Sequence, residues 1–108
     1  MREIKVLFGD VKVKEAFDAL EKGKSADPMI YKAINRAIDN LKLNPKCGEQ
    51  MAKRLIPKYY VGIDNLWWYD ITKDWRLFYT LKGNEMVILA IILEWMNHKN
   101  YERRFGYG

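Results

Sequence analysis

Leu66-Trp-Trp-Tyr-Asp-Ile71, Trp75-Arg-Leu-Phe-Tyr-Thr-Leu81 and Glu85-Met-Val-Ile-Leu-Ala-Ile-Ile-Leu-Glu-Trp-Met96 are three aromatic and β-branched runs, divided by short polar breaks at Thr72-Lys-Asp74 and Lys82-Gly-Asn84. Runs of this composition separated by Gly, Asn and Asp predict a three-strand antiparallel meander. Side chains alternate across a strand, so Trp75, Leu77, Tyr79 and Leu81 share one face of the middle strand and Arg76, Phe78 and Thr80 the other. Every residue from Met86 to Leu93 is apolar, which predicts a central last strand covered on both faces. Asn97-His98-Lys-Asn-Tyr101 comes next and opens a basic helical turn that runs to Phe105.

Upstream, Ile4 to Phe8 is β-prone and stops at Gly9-Asp10, a first strand. From Val13 the period changes: Val13, Phe17 and Leu20 fall on one helical face, with Lys14, Glu15, Asp18 and Glu21 opposite, and Gly23 is a stop signal. Asp27-Pro28 opens a second helix, with Asp27 as N-cap and Pro28 in the first turn. Its stripe of Ile30, Ala33, Ile34, Ala37, Ile38 and Leu41 ends at Asn44-Pro45. The expectation is an α+β chain of order β-α-α-β-β-β: an N-terminal strand and a helical hairpin packed on a small antiparallel sheet, closed by a short C-terminal helix. No repeat or linker divides it, so residues 1–108 read as a single domain.

The chain is 49% hydrophobic and 31% charged, a globular composition with room for one modest core. A net charge of +5 and a pI near 9.3 favour nucleic acid or an acidic protein as partner. The single cysteine, Cys47, allows no internal disulfide and fits a reducing compartment. The opening Met1-Arg-Glu-Ile-Lys-Val6 lacks a basic-then-apolar leader, and the Met86–Leu93 run is far too short to cross a bilayer. A soluble cytoplasmic protein with no membrane partner is expected. One Cys and one His cannot supply a usual zinc site, no glycine-rich phosphate loop is present, and the acids are scattered. Chemistry on nucleic acid would fall to Arg, Lys, His and Tyr, without metal or small-molecule cofactor.

Three places carry such groups. Residues 42–58 hold five basic side chains against one acid, most of the net charge. Such a run is an ordinary solvated loop or a phosphate-steering rim ahead of the meander; Pro57 confines any strand there to a sheet edge or to residues beyond position 57. Arg76, among hydrophobic neighbours, needs an anion: a phosphate, or structurally Asp70, Asp74 or Glu94. His98 and Tyr101, three apart, project from one side of the last helix. His suits proton transfer at neutral pH and Tyr can move a proton or stack on a base, although a lone His past a strand end also reads as a surface or capping residue.

The ordered set of motifs resembles the RelE/ParE superfamily of small type II toxins, in particular archaeal RelE-like members. Leu43-Asn-Pro45 and Gly48 come after the helical hairpin; Asp74-Trp-Arg-Leu-Phe-Tyr79 resembles the family's Gly-Asp-Tyr-Arg strand; Ile91 to Tyr101 resembles its apolar strand running into a His-basic-x-x-Tyr segment. The resemblance covers essentially the whole chain. It implies a RelE-like fold, a ribosome-dependent messenger-RNA endoribonuclease that works without metal by attack of the 2′-hydroxyl on the adjacent phosphate, and an antitoxin that neutralises it. It further implies that Arg76 stabilises the transferring phosphate, that His98 does acid or base work, and that Tyr101 stacks or moves a proton. Lys53, Arg54, Lys58, Arg103 and Arg104 would hold the RNA backbone. Two places depart from the pattern: Trp67-Trp68-Tyr69-Asp70 stands where many members carry a basic residue, and Glu94-Trp95-Met96 where some carry a second arginine. A binding-only relative, directed at gyrase or only at its antitoxin, is the alternative.

Overall fold

The computed structural model describes residues 2–106. The meander forms as its alternation requires: β3 is Trp67–Asp70, β4 is Trp75–Gly83 and β5 is Val87–Asn97, paired antiparallel in that order. The first strand, β1 (Glu3–Phe8), adds to the far side of β5, and a two-residue β2 (Glu49–Gln50) adds to β3. The sheet order is therefore β1-β5-β4-β3-β2. β1 runs parallel to β5, so the sheet is mixed and not wholly antiparallel as its sequence suggested. The reason is topological: the two helices carry the chain across one face before the meander begins. β2 is an edge strand and lies before Pro57, in the basic region.

Helix α1 (Val11–Glu21) starts where Asp10 accepts a hydrogen bond from the Val13 amide at 2.9 Å. Helix α2 (Pro28–Leu43) starts where Asp27 accepts from Ile30 N, with Pro28 supplying no amide that needs a partner. Both lie on the same face of the sheet. Phe17 from α1 and Ile30, Ala33, Ile34, Ala37 and Leu41 from α2 pack on Trp67, Leu77, Tyr79, Ala90 and Ile92. Ile34, Ala37, Leu41, Leu77, Tyr79, Ala90 and Ile92 have no exposed surface. This is the main core, and truncating a residue such as Ile34 to alanine would cost about 2–5 kcal/mol.

The opposite face carries a second, smaller core. Met51, Tyr60 and Leu66 from the segment between β2 and β3 pack on Phe78, Met96 and Tyr101. The segment is held by Asn65, whose side chain behaves like a strand residue beside Leu81: Nδ2 donates to Leu81 O and Oδ1 accepts from Leu81 N, both at 2.9 Å. Thr80, buried on this face, donates to Asn65 O at 2.7 Å. Cover stops short of the β1 side: Val87, Leu89 and Ile91 are only half-buried, and Leu7 is exposed. The last strand is thus central by pairing but fully covered on one face only, because the segment over the second face spans β3, β4 and the end of β5.

Candidate functional site

β5 does not keep a simple alternation. Phe78 lies opposite Glu94 but Tyr79 lies opposite Ile92, so Leu93 is an extra residue on β5. The bulge lets Ile92 and Trp95 both serve the main core while Glu94 and Met96 point to the second face. It resets the register at the end of the strand from which the last helix springs.

That helix, α3 (His98–Phe105), begins with no loop at all. Asn97, the last strand residue, caps it by accepting from Asn100 N at 3.0 Å. The His98 amide donates to Asp74 O at 2.7 Å, which ties the helix start to the β3–β4 turn. Gly106 closes the helix in the left-handed conformation, φ 73°. Phe105 stacks on Phe78 at 5.0 Å, so α3 lies across the second face with its inner side packed.

Arg76 rises from β4 directly opposite Asp70 on β3 and Met96 on β5. Its Nε donates to Asp70 Oδ1 at 2.7 Å. The guanidinium lies 4.5 Å from the Tyr101 ring centre and 5.3 Å from that of Trp68, so two aromatic rings flank a cation that a carboxylate holds by one edge. The remaining guanidinium nitrogens make no hydrogen bond among the described residues. Of the three structural partners foreseen for Arg76, the one realised is Asp70.

His98 is the exposed member of the group, its side chain 57% accessible. Tyr101 Oη is hydrogen-bonded to His98 Nδ1, and Glu102 Oε1 lies 2.7 Å from His98 Nε2. A carboxylate only accepts, so the carboxylate places a proton on Nε2; in the neutral ring Nδ1 then accepts from the tyrosine hydroxyl. When the ring is protonated Nδ1 becomes a donor and the direction of that bond reverses. The ring of Tyr101 is 5% exposed, taken up by Arg76 and the second core, so with α3 in this position it offers no face to a base.

The structure therefore brings Arg76, His98 and Tyr101 together. Lys53 and Arg54 sit on a one-turn 3-10 helix, Lys53–Leu55, and Lys58 lies just beyond it; all three are exposed on the segment that covers the same face. Arg103 is exposed on α3, while Arg104 donates to Glu94 Oε2 at 2.6 Å. Burial works to lower the Arg104 pKa, but the Glu94 carboxylate and the neighbouring tyrosines overcome it and hold the group above its ordinary value. Trp68 and Glu102 also belong to the site. The His98–Glu102 spacing of one helical turn was a readable signal; the approach of Trp68 to Arg76 depends on strand register and was not. Among the described residues no three of His, Cys, Asp and Glu are placed to hold a metal ion.

The loop motif ahead of the sheet has a structural use. Tyr79 donates its hydroxyl to Pro45 O at 2.9 Å and accepts from Gly48 N at 3.1 Å. A Cβ on Gly48 would stand 2.4 Å from Trp68 O and 2.6 Å from Tyr79 Oη, closer than any side chain could be accommodated. Burial, above all, pushes the Tyr79 pKa well up.

This architecture is a RelE/ParE-like fold. A solved structure of a YoeB/ParE toxin from Agrobacterium tumefaciens superposes with a TM-score of 0.59 at 17% sequence identity, covering 87% of this chain and 98% of that one. No protein-family model and no curated protein sequence matches the chain.

Proposed function

We propose that this protein is the toxin of a toxin–antitoxin pair and that it cuts messenger RNA on the ribosome, in the cytoplasm. One observation carries this reading: Arg76, the His98–Tyr101 hydrogen bond and the Glu102 carboxylate converge on one face of the sheet beside an exposed basic segment. The likeness in fold to a YoeB/ParE toxin supports it, and an antitoxin is the partner such a role requires.

The cleavage this set of groups fits is transesterification. The 2′-oxygen forms a bond to the adjacent phosphorus, the bond from phosphorus to the 5′-oxygen breaks, and the products are a cyclic phosphate and a free 5′-hydroxyl. A base must take the proton of the 2′-hydroxyl and an acid must give one to the 5′-oxygen. His98 holds a proton on the side of Glu102 and shares another with Tyr101, so it can serve in either sense as its charge changes. Arg76, anchored through Nε, turns its other nitrogens to two phosphate oxygens, where charge builds in the transition state.

A second reading is favoured by a specific observation. Arg76 is already paired with Asp70, Tyr101 is buried, and β3 carries no cation beside them. A site so neutralised also suits a binding-only relative that acts on gyrase or only on its antitoxin. Translation in a cell-free extract, with message ends mapped by primer extension, separates the two. Cuts on translating ribosomes that vanish with Arg76→Ala and His98→Ala are the expected outcome. Intact message in the presence of folded wild-type protein would refute the nuclease reading.

A further inference from the structure

A second arginine on the same face is built into a different kind of unit. Arg104 Cζ lies 3.5 Å from the centre of the Tyr59 ring, and its Nη1 is bound to Glu94. Tyr60 meets Tyr59 edge-on at 5.1 Å and fills the space beneath, buried in the second core near Phe105. Tyr59 therefore cannot fold inward, and one face of its ring rests on a guanidinium that is itself fixed by a carboxylate. The residue is nevertheless 61% exposed. Single exposed apolar side chains are ordinary on any surface. A ring seated on a guanidinium that is itself ion-paired, and still largely exposed, is not.

The surroundings are cationic. Lys58 precedes Tyr59 in the chain, Lys53 and Arg54 stand exposed on the same segment, and Arg103 is exposed beside Arg104. An open cleft of about 570 Å³ adjoins, lined by Glu94, Met96, Asn100, Arg103 and Arg104. Proteins that hold single-stranded nucleic acid combine these two features: cations that track the backbone and aromatic faces on which bases stack. The arginine beneath the ring adds to the stacking by fixing its pose before the ligand arrives.

We propose that Tyr59 is a base-stacking platform for single-stranded RNA, with Lys58 and Arg103 taking the phosphates on either side. The RNA as ligand class rests on the nuclease reading above. Tyr59 rests on Arg104, whereas Arg76 lies against Tyr101 and Trp68, so Tyr59 acts in holding substrate and not in the chemistry.

The test is binding of a short end-labelled single-stranded RNA, read by fluorescence anisotropy without ribosomes. Wild type, Tyr59→Phe and Tyr59→Ala are each titrated with the intact RNA and with copies in which one nucleotide at a time lacks its base. Tyr59→Ala is expected to bind intact RNA about tenfold more weakly, the size of one stacked base, while Tyr59→Phe binds as wild type. At one position loss of the base weakens wild type by a similar factor and leaves Tyr59→Ala unchanged. A merely structural tyrosine would not produce that non-additivity. Equal affinity of Tyr59→Ala and wild type overturns the platform, and so does an equal penalty for the missing base in both. If wild type binds no RNA the platform is also overturned. Message cut by that protein in the cell-free assay leaves the nuclease reading standing; uncut message removes it as well.

Discussion

Arg76 and Arg104 occupy the same face of one sheet, and each has a carboxylate within 2.7 Å and a tyrosine ring over its guanidinium. They differ in which partner is inside. At Arg76 the tyrosine is buried and the acid, Asp70, is 62% exposed. At Arg104 the acid is largely covered and the tyrosine faces water. An exposed carboxylate is screened by solvent and competes weakly with an incoming phosphate, so the first arrangement leaves a cation that a substrate can reach. A covered carboxylate holds its arginine firmly, so the second arrangement leaves a ring that a substrate can reach. On the roles proposed above, the same three residue types would serve a phosphate in one place and a stacked base in the other.

The largest test of this contrast is catalytic. Arg76→Ala should lower message cleavage by about 10²–10³-fold, the loss of one transition-state contact, whereas Arg104→Ala should stay within about tenfold and act on RNA affinity. Equal losses in both, measured as cleavage rates under saturating ribosomes, would erase the distinction.

Next comes stability. Tyr101→Ala removes a ring from the second core and should cost about 3 kcal/mol in urea unfolding. Tyr59→Ala, on the surface, should cost about 0.5 kcal/mol or less. A large loss for Tyr59 would mean that its ring is part of the packing.

A third expectation concerns alkaline pH. Burial first, and then the Glu94 carboxylate, raise the Tyr60 pKa above its ordinary value of 10.0. A phenol raised in the folded state contributes stability that is complete below the unfolded value and is lost as pH rises beyond it. Wild-type melting temperature should therefore fall as pH climbs above 10, and Tyr60→Phe should flatten that fall. Identical profiles would show that burial and the Glu94 carboxylate do not hold the Tyr60 pKa above its ordinary value.

The smallest effect distinguishes the two carboxylates. Asp70→Asn, at an exposed pair, should change stability by less than about 1 kcal/mol and should tighten RNA binding slightly as a competing anion is removed. Glu94→Gln, at a covered pair, should cost more, about 1.5–3 kcal/mol. The reverse order in thermal unfolding would contradict the assignment of inside and outside.

Much of this molecule was legible in its chain. Period-two alternation marked Leu77 and Tyr79 for one face and Arg76 and Phe78 for the other, and both assignments hold. Asp27-Pro28 announced a helix start because a side-chain acceptor satisfies one unpaired first-turn amide, that of Ile30, and proline removes another. His98 and Tyr101 were readable as neighbours since one helical turn separates them. Such features are local, and local geometry is set by the backbone alone.

What tertiary structure decided is everything that depends on register and on which segment covers which face. The extra residue at Leu93, the parallel joining of β1 to β5, and the seating of Trp68 beside Arg76 arise from pairings between distant strands. Asp70, and not Asp74 or Glu94, holds Arg76 because those two residues lie opposite each other in the sheet. Tyr59 met Arg104 only when the segment after β2 folded over α3, and nothing in either local sequence foretold it. Composition and period determine what each piece of chain becomes. The chemistry of a site depends on which pieces meet, and that is settled by burial of apolar surface across the whole sheet.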